Sequence, residues 1–285
     1  MGKASAGTSA PSRPGPTGKG WQPAFRMVDV DGVRMRVGVI GDGSPLLLIN
    51  GIGANIEMWE PLVSELPGRR VVMFDFPGTG ASPPLRGSNR MPALAQLVVR
   101  LLDKLEIGRV DVLGYSWGGA LAQQLAYEAP QRIRSVVLAA TTPGVGGQPP
   151  APWVVAAMAT PLRYYSPTYL RLVAPLIYGS AIRPDAAHVT ARRDQPPSMR
   201  GYAQQLYAIS GWSSRRWLRR LRVPVLVLTG ERDHLAPFRN GRILARSIPG
   251  ARLQTLPGGH LFLLEQPEAA ADAINAFLDE HSASR

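Results

Sequence analysis

The sequence predicts an α/β protein: one mostly parallel sheet of eight strands, helices on both of its faces, and a helical cap inserted after the sixth strand. Three observations support this. Apolar strand-like runs alternate with amphipathic helical stretches from Met27 to Ala140. The rhythm breaks over residues 144–222, where Pro-punctuated helical segments replace buried strands. It then resumes at Val223 and continues to the closing helix. Strands that alternate with helices build parallel sheets, and strands covered on both faces read as continuous apolar runs.

In chain order, MVDVDGVRMRVGVI reads as a hairpin around Asp31-Gly32, PLLLIN as a buried strand and MWEPLVSEL as a short helix. RVVMFD is the next strand, and MPALAQLVVRLLDKL places apolar residues at helical spacing. RVDVLGY, GGALAQQLAYEA and IRSVVLAA continue as strand, helix and strand. Within the insertion, PWVVAAMA, SPTYLRLVAPLIY and MRGYAQQLYAI are helical. VPVLVLTG, FRNGRILARSI, ARLQTLP and PEAAADAINAFLDEH complete the pattern as strand, helix, strand and helix. The expected organisation is a disordered tail over 1–22, a core formed by 23–143 and 223–285, and a cap over 144–222. A chain of 285 residues buries enough apolar surface for this.

Composition narrows the setting. There is no cysteine, which removes disulfides, thiol nucleophiles and thiolate metal ligands and fits a reducing compartment, so a cytoplasmic protein is expected. The first 22 residues are rich in Gly, Ser, Ala and Pro and lack the apolar core of a secretory signal. No run of 18 apolar residues occurs, so no spanning helix is expected. The net charge of +12 is concentrated in residues 144–222, which hold eleven Arg, no Lys and two acids, Asp185 and Asp194. That segment reads as an Arg-rich solvated helix face, and nucleic acid is not an expected partner.

Gly114-Tyr115-Ser116-Trp117-Gly118 matches GxSxG at the point where a strand gives way to a helix. Such a turn holds its serine in strained backbone and exposes the hydroxyl above the sheet, which makes Ser116 the expected nucleophile. A serine hydroxyl needs a base, and in this arrangement the chain order is serine, carboxylate, histidine. His260, in the glycine-rich loop LPGGHLF after the last strand, is the expected base. His188, His234 and His281 fall in the insertion, beside the acid and in the closing helix. Asp233, in the loop GERDHLAP, is the carboxylate expected to fix the His260 tautomer, with Glu231 as the alternative. The oxyanion amides are expected from Trp117, directly after the nucleophile, and from Ile52 in the loop NGIGAN.

A dinucleotide-binding reading of Gly51-Ile52-Gly53 fails for want of a third glycine, whose place Ile56 holds. Asp75 and Ser82 in FDFPGTGAS are expected to tie down an active-site loop. No HExxH, paired-cysteine or Walker pattern is present.

With its motifs NGIGAN, FDFPGTGAS, SWGGALAQQ, VVLAAT, PLIYG, LVLTG and GGHLFL, the chain resembles the intracellular medium-chain-length polyhydroxyalkanoate depolymerases, a branch of the α/β-hydrolases, from roughly residue 25 to 278. The resemblance implies the α/β-hydrolase fold and hydrolysis of storage-polyester esters at the surface of cytoplasmic granules, with no cofactor. It carries nucleophile, acid and base onto Ser116, Asp233 and His260. Six of the eight tyrosines and three of the six tryptophans lie in 144–222, which is compatible with an apolar substrate pocket or with packing of the cap helices. A general carboxylesterase, a carbon–carbon bond hydrolase or a non-catalytic granule-binding protein on the same scaffold are the alternatives.

Overall fold

The computed structural model describes residues 21–181, 189 and 194–282. The expected tail up to residue 20, and His188, lie outside the described residues. The eight strands form one sheet in the order β1-β2-β4-β3-β5-β6-β7-β8. β1 (Ala24–Val30) and β2 (Val33–Ile40) are the hairpin, which turns at Asp31 and Gly32 with φ of 53° and 83°. Two successive positive φ values make a turn whose twist matches the strands, and Asp-Gly tolerates them. β2 runs antiparallel to β4 (Arg69–Phe74). From β4 onward every pairing is parallel, through β3 (Ser44–Ile49), β5 (Val110–Tyr115), β6 (Ile133–Ala139), β7 (Val225–Gly230) and β8 (Arg252–Leu256).

Strand alternation divides the core in two. Leu47, Ile49, Val72, Phe74, Val136 and Leu138 face one cluster, whereas Leu46, Leu48, Val71, Met73, Val137 and Ala139 face the other. On the first face lie α2 (Met91–Lys104) and α3 (Trp117–Glu128). Met91, Leu94, Ala95, Val98, Leu101 and Leu102 are buried at helical spacing along α2, and each buried leucine contributes about 2 kcal/mol. The second face is covered by α1 (Glu60–Val63) and by the closing helix, with Ile274, Phe277 and Leu278 buried. The stretch expected as one short helix over 58–66 is instead a 3-10 turn over Ile56–Trp59 followed by α1, with Pro61 in its first turn.

Between β6 and β7 the chain leaves the sheet and forms helices: α4 (Pro152–Met158), α5 (Leu162–Tyr165), α6 (Pro167–Tyr178) and α7 (Met199–Ile209). Ser166 and Ser198 cap α6 and α7 by accepting the amides of Tyr169 and Gly201 at 3.2 and 3.0 Å. The chain then returns through β7, α8 (Phe238–Ser247), β8, the short α9 (Phe262–Glu265) and α10 (Pro267–Ser282). Because β3, β5, β6, β7 and β8 are mutually parallel, the loops after them emerge at one edge of the sheet, where α/β proteins place their sites. Among the described residues no helix is long and apolar enough to cross a membrane.

Candidate active site

Ser116 stands between β5 and α3 with φ 55° and ψ −115°, a conformation that non-glycine residues rarely adopt. Neighbouring bonds over-determine it: its amide donates to the Ala139 carbonyl at 2.9 Å, and its carbonyl accepts from the Thr141 hydroxyl at 2.7 Å. Gly118 is needed because helix and strand approach closely here. A Cβ on it would stand 2.1 Å from the Ile49 carbonyl oxygen.

The loops after β7 and β8 bring the other two groups to this point. His260 Nε2 lies 3.0 Å from Ser116 Oγ, and His260 Nδ1 lies 2.8 Å from Asp233 Oδ2. His260 and Asp233 are both buried. The second carboxylate oxygen of Asp233 accepts the amides of Leu235 and Ala236 at 2.9 and 2.7 Å, which fixes the orientation of the group. Glu231 is exposed, while His234 bonds the Leu176 carbonyl and His281 the Phe277 carbonyl.

His260 is held through its backbone as well as its ring. Its backbone amide donates to the Tyr178 carbonyl at 2.6 Å, and its carbonyl accepts from the Tyr115 hydroxyl at 2.9 Å. The Tyr115 ring lies 5.3 Å away and the Tyr178 ring 5.9 Å away, the latter within 14° of parallel. Tyr178 belongs to the insertion, and its helix can approach because Gly179 follows it at φ 74°. A Cβ there would stand 1.6 Å from the Arg232 carbonyl oxygen.

Ile52 and Trp117 flank Ser116 in one cavity. The Trp117 amide opens α3, where first-turn N–H groups have no intrahelical acceptor. Its indole packs edge-on against Phe76 and donates to the Gln205 carbonyl at 2.9 Å. The Ile52 loop is pinned at several points: Asn50 Nδ2 donates to the Asn55 carbonyl at 2.6 Å, and the Gly53 amide to Gln205 Oε1 at 2.7 Å. The Tyr164 hydroxyl donates to the Ile52 carbonyl. Asp75 accepts the amides of Ile56 and Ala81 at 2.8 and 3.0 Å, and Ser82 Oγ donates to the Asp75 carbonyl at 2.8 Å. Burial, with the nearby Glu57 charge, pushes the Asp75 carboxyl up to about 6 against the pull of those amides and of Arg36.

A largely apolar cavity of about 470 Å³ opens beside Ser116, walled by Val155, Met158, Leu206 and Ile209 of the insertion. A smaller space of about 20 Å³ lies between Ser116, His260, Tyr178 and Arg163. Tyr164, Tyr178, Arg163 and Gln205 are site residues that the sequence reading did not single out. Gln205 carried a signal: it sits with Tyr202 and Ala208 on the buried stripe of α7, where a glutamine needs a polar partner. Among the described residues no group of three or more histidine or acidic side chains could hold a metal ion.

A sheet edge that gathers a strained serine, a histidine and a buried aspartate is the architecture of the alpha/beta hydrolase fold; residues 44–267 match that family, and the chain belongs to it. Its relatives include the poly(3-hydroxyalkanoate) depolymerase of Ectopseudomonas oleovorans, 43% identical over 262 residues that cover 90% of this chain and 93% of that protein. Among solved structures, the enol-lactonase from Burkholderia xenovorans matches with a TM-score of 0.78 at 28% identity, over 89% of this chain and 100% of that one. A hydrolase from Pseudomonas aeruginosa matches with a TM-score of 0.72 at 29% identity, over 90% and 98%.

Proposed function

We propose that the chain is a serine ester hydrolase that cleaves polyhydroxyalkanoate to 3-hydroxy acids or short oligomers. The observation that carries this reading is the unbroken hydrogen-bonded line Asp233–His260–Ser116 opening on an apolar cavity. His260 Nε2 takes the Ser116 proton as Oγ attacks the ester carbonyl, and the amides of Trp117 and Ile52 hold the oxyanion. Asp233 keeps the Nδ1 proton in place and stabilises the imidazolium. Collapse of the tetrahedral intermediate breaks the bond to the leaving alkoxide, which takes the proton from His260 Nε2. Water, deprotonated by the same nitrogen, then attacks the acyl-enzyme, and Ser116 Oγ departs with that proton from His260 Nε2, which frees the acid and restores the site.

The likeness to a poly(3-hydroxyalkanoate) depolymerase supports the polyester as substrate. The polymer is a water-insoluble solid, so the reaction takes place at a granule surface in the cytoplasm. Trp153, Leu172 and Leu176, exposed by 64%, 73% and 55% on α4 and α6, suit contact with such a surface. The likeness to an enol-lactonase favours a second reading, hydrolysis of a small soluble ester on the same triad. Suspensions of polyesters with medium and short side chains, a triglyceride emulsion and a soluble ester separate the two. The polyester reading expects release of 3-hydroxy acids chiefly from the medium-side-chain polymer and none from Ser116→Ala. Turnover of the soluble ester alone overturns it.

A further inference from the structure

Arg163, in α5 of the insertion, is a charged side chain that the reaction does not consume and that the fold nonetheless buries. It is 2% exposed, and no carboxylate among the described residues pairs with it. A guanidinium in a dry interior carries a desolvation cost of several kcal/mol unless its donors are met. Here they are met by three tyrosines. Nε donates to the Tyr178 hydroxyl at 3.0 Å, Nη1 to the Tyr202 hydroxyl at 2.8 Å, and Nη2 to the Tyr164 hydroxyl at 3.5 Å. Nη1 also reaches the Thr160 carbonyl at 3.2 Å. The guanidinium carbon stands 4.6 Å from the Tyr164 ring centre and 5.3 Å from that of Tyr202, so both π-faces favour the cation. Burial opposes the charge, yet these oxygens outweigh it, and the group stays above the ordinary arginine range.

Each tyrosine has a second contact, and those contacts converge on the reacting centre. The Tyr178 ring lies against the His260 imidazole, and its carbonyl accepts the His260 amide. The Tyr164 hydroxyl donates to the carbonyl of Ile52. The Tyr202 hydroxyl donates to the Met158 carbonyl at 2.6 Å, and Met158 lines both spaces beside Ser116. The direction of these bonds is set by the arginine. A guanidinium only donates, so the hydroxyls of Tyr164 and Tyr202 accept from it and turn their own protons outward to the carbonyls. The fork is rigid and planar, so the three arms keep one mutual geometry.

We propose that Arg163 is a positioning residue for the hydrolysis: by gathering Tyr178, Tyr164 and Tyr202 on one guanidinium, it couples the seating of the helical insertion to the placement of the His260 base and the Ile52 amide. The inference rests on the reading that Ser116, His260 and Asp233 carry the reaction. Without Arg163 the insertion still roofs the apolar cavity, so binding of an apolar ester is largely kept. Base and oxyanion amide lose their common reference, and small misplacements at a reacting centre cost roughly tenfold or more in rate.

The test measures kcat and KM for a soluble p-nitrophenyl ester with the full chain, normalised to sites counted by fluorophosphonate labelling. Arg163→Met is expected to lose roughly tenfold or more in kcat per labelled site, with KM within about twofold of wild type. Arg163→Lys keeps the charge without the fork and stays nearer to Arg163→Met than to wild type. Tyr164→Phe, which cuts one arm, falls between, and adding it to Arg163→Met brings no further loss. Arg171→Met, on the exposed face of α6, serves as the control and matches wild type. If Arg163→Met yields no folded protein, Tyr164→Phe, Tyr178→Phe and their double variant carry the test through the same non-additivity. A purely structural role would lower the unfolding temperature and leave kcat per site unchanged; that result, a loss confined to KM, or full rescue by lysine overturns the proposal. Failure of wild type to label at Ser116 refutes the catalytic reading instead.

Discussion

On the proposed mechanism, Asp233→Asn disables the enzyme by reversing one hydrogen bond. Asp233 Oδ1 accepts the amides of Leu235 and Ala236 at 2.9 and 2.7 Å, and two N–H donors require an acceptor oxygen opposite them. The asparagine must therefore keep its carbonyl there and turn its NH₂ toward His260 Nδ1, where a carboxylate oxygen now stands at 2.8 Å. Facing a donor, Nδ1 gives up its proton. The neutral imidazole then carries hydrogen on Nε2, the nitrogen 3.0 Å from Ser116 Oγ, and cannot receive the serine proton. A wrong tautomer of this kind costs roughly 10⁴-fold in kcat, about 5.5 kcal/mol of barrier. The substitution is isosteric, so the unfolding temperature should move by only a few degrees. The assay is steady-state hydrolysis of a p-nitrophenyl ester beside thermal unfolding, with Glu231→Gln in parallel. Glu231 is exposed in the same loop, and its variant should stay within about twofold of wild type. Asp233→Asn retaining more than about a tenth of the activity, or Glu231→Gln losing as much, would refute the reasoning.

Two other expectations follow from the site's surroundings. Asp75, at about 6 in the folded chain against an ordinary 3.8, binds its proton more tightly when folded. Its stability contribution is therefore full below about pH 4 and is lost as pH rises through about 6. Relative to Asp75→Asn, wild type should lose on the order of 3 kcal/mol between about pH 4 and 7, measured by urea unfolding. A gap that does not change with pH, or one that moves in favour of wild type, contradicts it. In the cavity of about 470 Å³, each added acyl methylene should raise kcat/KM about fourfold until the space is filled. Ile209→Trp, which narrows that space, should flatten the series; equal slopes in both proteins would show that the acyl chain lies elsewhere.

The sheet was legible because runs such as PLLLIN have no stable place except between two layers, and strand alternation then assigns each residue to a face. β8 was harder: four of its five residues are exposed, and it reads as a strand only from its place in the alternation. Ser116 is legible locally as the candidate nucleophile, since GxSxG falls at a strand-to-helix turn. The candidate acid and base, Asp233 and His260, lie 117 and 144 residues beyond it, and the structure brings them to it because parallel strands deliver their carboxyl ends to a common edge. Arg163 is not legible in this way. It is one of eleven arginines in a basic segment whose composition reads as a solvated face. Its burial depends on tyrosines 1, 15 and 39 residues away, which meet only in the folded insertion, and nothing local distinguishes it from exposed Arg171. The 58–66 segment is entered by a 3-10 turn whose first amide, that of Ile56, is held by the Asp75 carboxylate, and α1 then starts with Pro61 in its first turn.

That an acyl group resides covalently on Ser116 between two chemical steps is the claim on which the rest depends. Acid-quenching a reaction with p-nitrophenyl octanoate within milliseconds and sequencing the peptides by mass spectrometry tests it directly. An octanoyl group is expected on the peptide containing Ser116, at the hydroxyl of that residue and absent from His260→Ala. Turnover with no acylated intermediate, or acylation at a different side chain, would contradict it.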